Sequence, residues 1–132
     1  MYHAVIGVDD NEERAVACAR AVADLPGDES DTRVTIIHSF TDNPSGASAA
    51  QIGSVREATA FLEERGIEVD VTESSGDPAE QILDVATAED ANLIVVAGRK
   101  RSPTGKALFG SVTQSVILNA DRPVMVAGDT EN

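Results

Sequence analysis

Apolar runs of strand length alternate with stretches whose apolar residues recur at helical spacing. His3 to Val8 is an apolar run, closed by Asp9-Asp10-Asn11, a cluster able to cap a following helix. From Glu12 to Leu25 the residues Ala15, Val16, Ala19, Val22 and Ala23 form a helical stripe, and Pro26-Gly27 stops it. Thr32 to Phe40 is β-branched and apolar at its centre, as in a strand covered on both faces. Asn43-Pro44-Ser45-Gly46 breaks the chain, and Ile52, Val55, Thr59 and Leu62 predict a second helix ending at Gly66. Ile67 to Thr72 alternates apolar and polar residues, which places it at a sheet edge. Asp77-Pro78 is a helix cap followed by proline at the first helical position, and Ala79, Ile82, Leu83 and Ala86 give the third inner stripe. Asn92 to Ala97 is the most apolar run and is expected to be the central strand. Val112 to Leu118 reads as a fourth helix, and Pro123 to Ala127 as a last strand at an edge.

The order is β-α-β-α-β-α-β-α-β. Strict alternation with short connections predicts one α/β domain over residues 1–132, a parallel sheet with helices on both faces. Such sheets bind ligands at the carboxyl ends of their strands, where the strand order reverses. Asp9, Ser39 and Gly98 all fall at such ends.

Charge singles out one of these ends. Gly98 to Ser111 reads Gly-Arg-Lys-Arg-Ser-Pro-Thr-Gly-Lys-Ala-Leu-Phe-Gly-Ser and joins the most apolar strand to the fourth helix. No Asp or Glu occurs from Gly98 to Ala120, although the chain holds 23 of them and has a net charge of −13. Arg99, Lys100, Arg101 and Lys106 are four of only ten Lys and Arg residues. Glycines let a backbone come close to a ligand, basic side chains supply charge, and a helix start offers N–H groups at a positive dipole end. Together these features suit a phosphate. A loop of this length can also carry Lys and Arg for solubility alone.

The remaining composition narrows the classes. Aromatic residues make up 3% of the chain, so base-stacking platforms are not expected, and the acidity argues against binding the phosphates of nucleic acids generally. Two lysines against eight arginines on a dispersed acidic body resemble the proteins of salt-loving organisms. Cys18 stands alone in an apolar helical stripe and reads as a buried structural thiol. No signal peptide or membrane-length apolar run is visible, so a cytoplasmic protein away from membranes is expected. His38 lies in an apolar strand, as a core histidine does, and no nucleophile–base pair is visible. Gly105-Lys106 is followed by Ala107, so the loop lacks the Ser or Thr of a Walker A motif. No Gly-x-Gly-x-x-Gly follows the first strand. Efficient catalysis is not indicated; slow hydrolysis of a bound phosphate, with Asp9 and Asp10 orienting a water, is the most these residues suggest.

Four stretches carry a family resemblance. They are Asp9 after the first strand, Ile36-Ile37-His38-Ser39, Gly76-Asp77-Pro78, and Gly98 to Thr113 with Phe109-Gly-Ser-Val-Thr113 leading to Val116. Arg122-Pro-Val-Met-Val126 follows. Over essentially its whole length the chain resembles the universal stress proteins. The resemblance implies a Rossmann-like, adenine nucleotide alpha hydrolase-like fold with strand order 3-2-1-4-5, and a homodimer paired through the last strand, where Val124 and Val126 lie. ATP binders of that family resemble a pattern of Gly, two residues, Gly, nine residues, Gly and then Ser or Thr. Gly98 and Gly110-Ser111 match its ends; Arg101 stands at the middle Gly, and eight residues separate it from Gly110. Arg101 either obstructs the phosphates or grips them as a fork.

By resemblance, Asp9 would meet the ribose of ATP or another adenine nucleotide, with Gly7 and Val8 beside it. The backbone near Ser39 would meet the adenine edge. Gly98, Arg101, Gly110, Ser111, Val112 and Thr113 would hold the phosphates, with Mg or Mn carried between them and no dedicated metal ligands. Asp9 and Ser111 also suit plain helix capping. Two readings follow: a nucleotide-binding stress or signalling dimer, and a nucleotide-free interaction module of the same fold.

Overall fold

The computed structural model describes residues 2–9, 11–27, 31–40, 52–98 and 110–127. Within them the chain forms β1 (Tyr2–Val8), α1 (Glu12–Ala23), β2 (Thr32–Phe40), α2 (Gly53–Glu63) and β3 (Glu68–Ser75). It continues with α3 (Pro78–Ala88), β4 (Leu93–Ala97), α4 (Ser111–Asn119) and β5 (Val124–Ala127). All strand pairs are parallel, in the order β3-β2-β1-β4-β5. This is the predicted α/β sheet and strand order.

The register shows why both faces need covering. Ala4 and Ile6 of β1 pair with Val34 and Ile36 of β2 and with Leu93 and Val95 of β4. These residues point at Ala15, Cys18 and Val22 of α1 and at Val55, Ala58 and Leu62 of α2. Val5, Ile37, Ile94 and Val96 point the other way, at Ala79, Ile82 and Ala86 of α3 and Val116 of α4. Full burial of one such aliphatic side chain contributes roughly 1.5–3 kcal/mol, and Ile6, Ile36, Ile37, Leu62 and Ile94 are all buried. Thr35 is a polar residue buried within this sheet, and it has partners. His3 Nε2 lies 2.8 Å from its hydroxyl, which donates to Glu89 Oε1 at 2.7 Å.

Several boundaries differ from the sequence reading. Helix α1 ends at Ala23 instead of Leu25, where the Asp24 N–H closes the last turn on the Arg20 carbonyl. Strand β3 runs on to Ser75, because its polar end still pairs with Phe40 along the sheet edge. The buried stripe of α2 is Ser54, Val55, Ala58 and Leu62, and Thr59 lies to one side of it. The middle strand of the sheet is β1 instead of β4, which lies between it and the edge strand β5.

Candidate functional site

A cavity of about 160 Å³ opens at the carboxyl ends of β1 and β4, where the strand order reverses. Its apolar lining includes Ile37, Ile82 and Val96, one each from β2, α3 and β4. Gly7 and Val8 line it from β1. A Cβ at Gly7 would overlap Ile82 Cδ1, so the glycine leaves the room that the Ile82 side chain fills beside the middle strand. Pro78 contributes the first turn of α3.

One polar part of the lining is built around Asp9. Its Oδ1 accepts the Asn11 N–H at 2.9 Å. Its Oδ2 accepts both Nε and Nη2 of Arg14, at 3.2 and 3.0 Å. Its backbone carbonyl accepts the Ser54 hydroxyl from α2 at 2.6 Å. Asp9 is therefore not the cap of α1. Asn11 is: it sits in extended backbone, and its side chain accepts the Arg14 N–H at 2.8 Å.

The first turn of α4 supplies another polar part. Gly110 is the cap position, and it brings no side-chain cap bond. Ser111 is the first helical residue, exposed, so it does not cap its own helix. The Thr113 hydroxyl donates to the Ala97 carbonyl at 2.8 Å, pinning α4 to the end of β4. The Gln114 N–H makes the first helical bond, to the Gly110 carbonyl. The N–H groups of Ser111, Val112 and Thr113 have no acceptor among the described residues, and all three residues line the cavity. No acidic residue occupies this first turn, so the positive end of the helix dipole is left uncompensated. Helices α1 and α3 use their own caps, and the start of α2 has Glu12 beside Gly53.

The structure thus brings together Gly7, Val8, Asp9, Gly110, Ser111, Val112 and Thr113. Gly98 is buried, and its N–H donates to the Ala127 carbonyl at 2.8 Å, so that donor is committed to the sheet. Ser39 lies near the end of β2, in register with Ser74. Arg101, with Arg99, Lys100 and Lys106, lies outside the described residues. The sequence reading missed Arg14. A cation in a helix first turn opposes the dipole, and that was the signal available for it. It also missed the apolar lining, because Ile37, Ile82 and Val96 read only as core.

Other chemistry lies elsewhere. His38 is buried in β2, in register with Val8 and Glu73. Cys18 is buried under α1. Burial first, and the Asp9 carboxylate second, push its thiol up from 9.0 to about 12, while Arg14 acts in the opposite sense. Among the described residues no cluster of three or more His, Cys, Asp and Glu is placed to hold a metal. No described helix is long and apolar enough to cross a membrane.

Comparison with known proteins agrees with this geometry. The model of the Universal stress protein family matches residues 1–128. A universal stress protein of Mycolicibacterium smegmatis is 33% identical over 97 residues, covering 72% of this chain and 75% of its own. The solved universal stress protein of Archaeoglobus fulgidus is 31% identical, with a TM-score of 0.74, and covers 96% of this chain and 98% of its own. A structure of the universal stress protein from the same organism in complex with dAMP is 25% identical, with a TM-score of 0.68 and coverage of 96% and 97%.

Proposed function

Because this chain belongs to the universal stress protein family, we propose that its cavity takes an adenine nucleotide, ATP among them, and that it acts as a stress-response or signalling dimer. The observation that carries the reading is the open start of α4, with three N–H donors at the wall of a cavity whose lining includes Ile37, Ile82 and Val96. In this reading the adenine packs on that apolar lining, a ribose hydroxyl donates to Asp9, and phosphates accept from Ser111, Val112 and Thr113. Mg or Mn arrives with the phosphates, as ligands of the nucleotide more than of the protein. The four basic residues between Gly98 and Gly110 add attraction for a polyanion. The complex of the Archaeoglobus fulgidus relative with dAMP supports the assignment.

The dimer part rests on β5. Among the described residues it pairs with β4 alone, and Val124 and Val126 are half-buried along it. Ile117 and Leu118 expose further apolar surface on neighbouring α4. A second copy pairing along β5 would cover this edge. Light scattering that gives a monomer mass at every concentration would refute it. We place the protein in the cytoplasm on the same family reading.

The test of the site is to denature the purified protein, identify released nucleotide by mass, and titrate the emptied protein with ATP and Mg by calorimetry. Released adenine nucleotide or saturable micromolar binding is expected. Neither would leave the second reading, a nucleotide-free interaction module. Arg101 and the loop one residue shorter than the binders' pattern favour that alternative.

A further inference from the structure

We infer that Arg14 is a positioning residue of this cavity: it fixes the Asp9 carboxylate for the ribose and cancels its charge, so that a polyanionic ligand can seat on α4. The inference rests on the nucleotide reading above and adds to it what governs selection by ligand charge.

Arg14 has no favourable role in its own helix. It follows Glu12 and Glu13 in the first turn of α1, where acids stabilise the dipole and a cation opposes it. Its side chain turns to Asp9 instead. Both Nε and Nη2 bind one oxygen, Oδ2, while the Asn11 N–H holds the other. The Ser54 hydroxyl fixes the carbonyl of the same residue. Asp9 is thus held at both carboxylate oxygens and at its backbone, and of its roughly four lone-pair sites one, on Oδ1, is left for a ribose hydroxyl.

The pair also settles a conflict of charge. The chain carries −13, and Asp9 shares the lining of one small cavity with the helix start that would take phosphates. An unpaired carboxylate there would repel them. Arg14 is the one Lys or Arg among the described residues that line the cavity. Paired with Asp9, it makes that part of the wall formally neutral. Its Nη1 makes no hydrogen bond among the described residues and can donate to a bound anion. The side chain of Arg14 is 29% exposed and that of Asp9 55%, so salt will screen part of the effect.

The test is calorimetric titration of the wild type, Arg14→Ala, Arg14→Lys and Ser54→Ala with adenosine, AMP and ATP, at low and at molar salt. With Arg14→Ala, adenosine affinity should fall about threefold, because the Asp9 carboxylate is no longer held for the ribose, while AMP should weaken roughly tenfold more and ATP further, because each added phosphate charge faces an uncompensated Asp9. Arg14→Lys should recover most of the charge-dependent loss, and molar salt should narrow it. Ser54→Ala removes a restraint without changing charge and should weaken all three ligands alike. If Arg14→Ala yields no folded protein, Arg14→Gln carries the same expectations. Equal losses for the three ligands in the Arg14 variant, or no loss, overturn the inference and leave the nucleotide reading standing. A wild type that binds none of the three overturns both.

Discussion

Helices α3 and α4 pack on the same face of the sheet and start at the same end of it, yet they start in opposite ways. At α3 the Asp77 side chain accepts the Glu80 N–H at 3.1 Å, Pro78 removes a donor, and Glu80 adds an acid to the first turn. Its sequence satisfies its own orphan groups. At α4 the cap is Gly110, no side chain among the described residues accepts the N–H groups, and the first turn holds no acid. Both helices contribute to the same apolar core, so packing does not explain the contrast. A sealed start is a device for folding. An open start facing a cavity suits the binding proposed above.

The largest effect should come from giving α4 the kind of start that α3 has. Gly110 has φ −69° and ψ 164°, extended backbone that any residue adopts, so Gly110→Asp brings no backbone strain. The new carboxylate would cap α4 and occupy the phosphate position. We expect nucleotide affinity to fall at least about a hundredfold, while helix capping leaves the melting temperature of the empty protein unchanged or slightly raised. Calorimetry and thermal melts read the two sides, and an undiminished affinity would remove α4 from the site.

A smaller effect comes from α1, whose buried face carries Cys18. Its thiol is raised from 9.0 to about 12, so the folded state keeps a proton that the unfolded chain loses. The resulting stability is complete below pH 9 and drains away as pH rises toward 12; three units set an upper bound of about 4 kcal/mol. Denaturant melts from pH 8 to 11 should show this slope in the wild type and a flatter one in Cys18→Ala. Parallel slopes would mean the thiol does not titrate with unfolding.

The smallest effect opens the sealed helix. Asp77→Ala should cost about 1 kcal/mol of stability, read by denaturant unfolding, and leave nucleotide affinity untouched. If affinity fell as well, the division between folding starts and binding starts would not hold.

This contrast also marks what sequence alone could say. The sheet was legible because the core strands are largely apolar and β-branched at their centres, and Asp77-Pro78 announces α3 without ambiguity. Gly98 and Gly110 bound the junction between β4 and α4, but only the fold shows the Gly98 N–H committed to β5 while those of Ser111, Val112 and Thr113 have no acceptor among the described residues. Backbone donors have no signature in side-chain chemistry. Asp9 stood out as an acid after a strand, yet its partners Arg14 and Ser54 come from two helices and share no spacing with it. The end of β3 was missed for a related reason. Glu73, Ser74 and Ser75 are polar, and their pairing partners, His38 to Phe40, lie more than thirty residues away.

A phosphate seat made of main-chain N–H groups, as proposed for α4, would leave the exposed Ser111 free to vary while the donors persist. Replacing Gly110 by an acid closes it, and glycine codons lie a single base change from those of Asp or Glu. Descendants of one ancestral gene can therefore diverge into binders and non-binders in one mutational step, with the fold intact. Two such chains would look nearly identical in alignment and differ in whether they sense nucleotide at all.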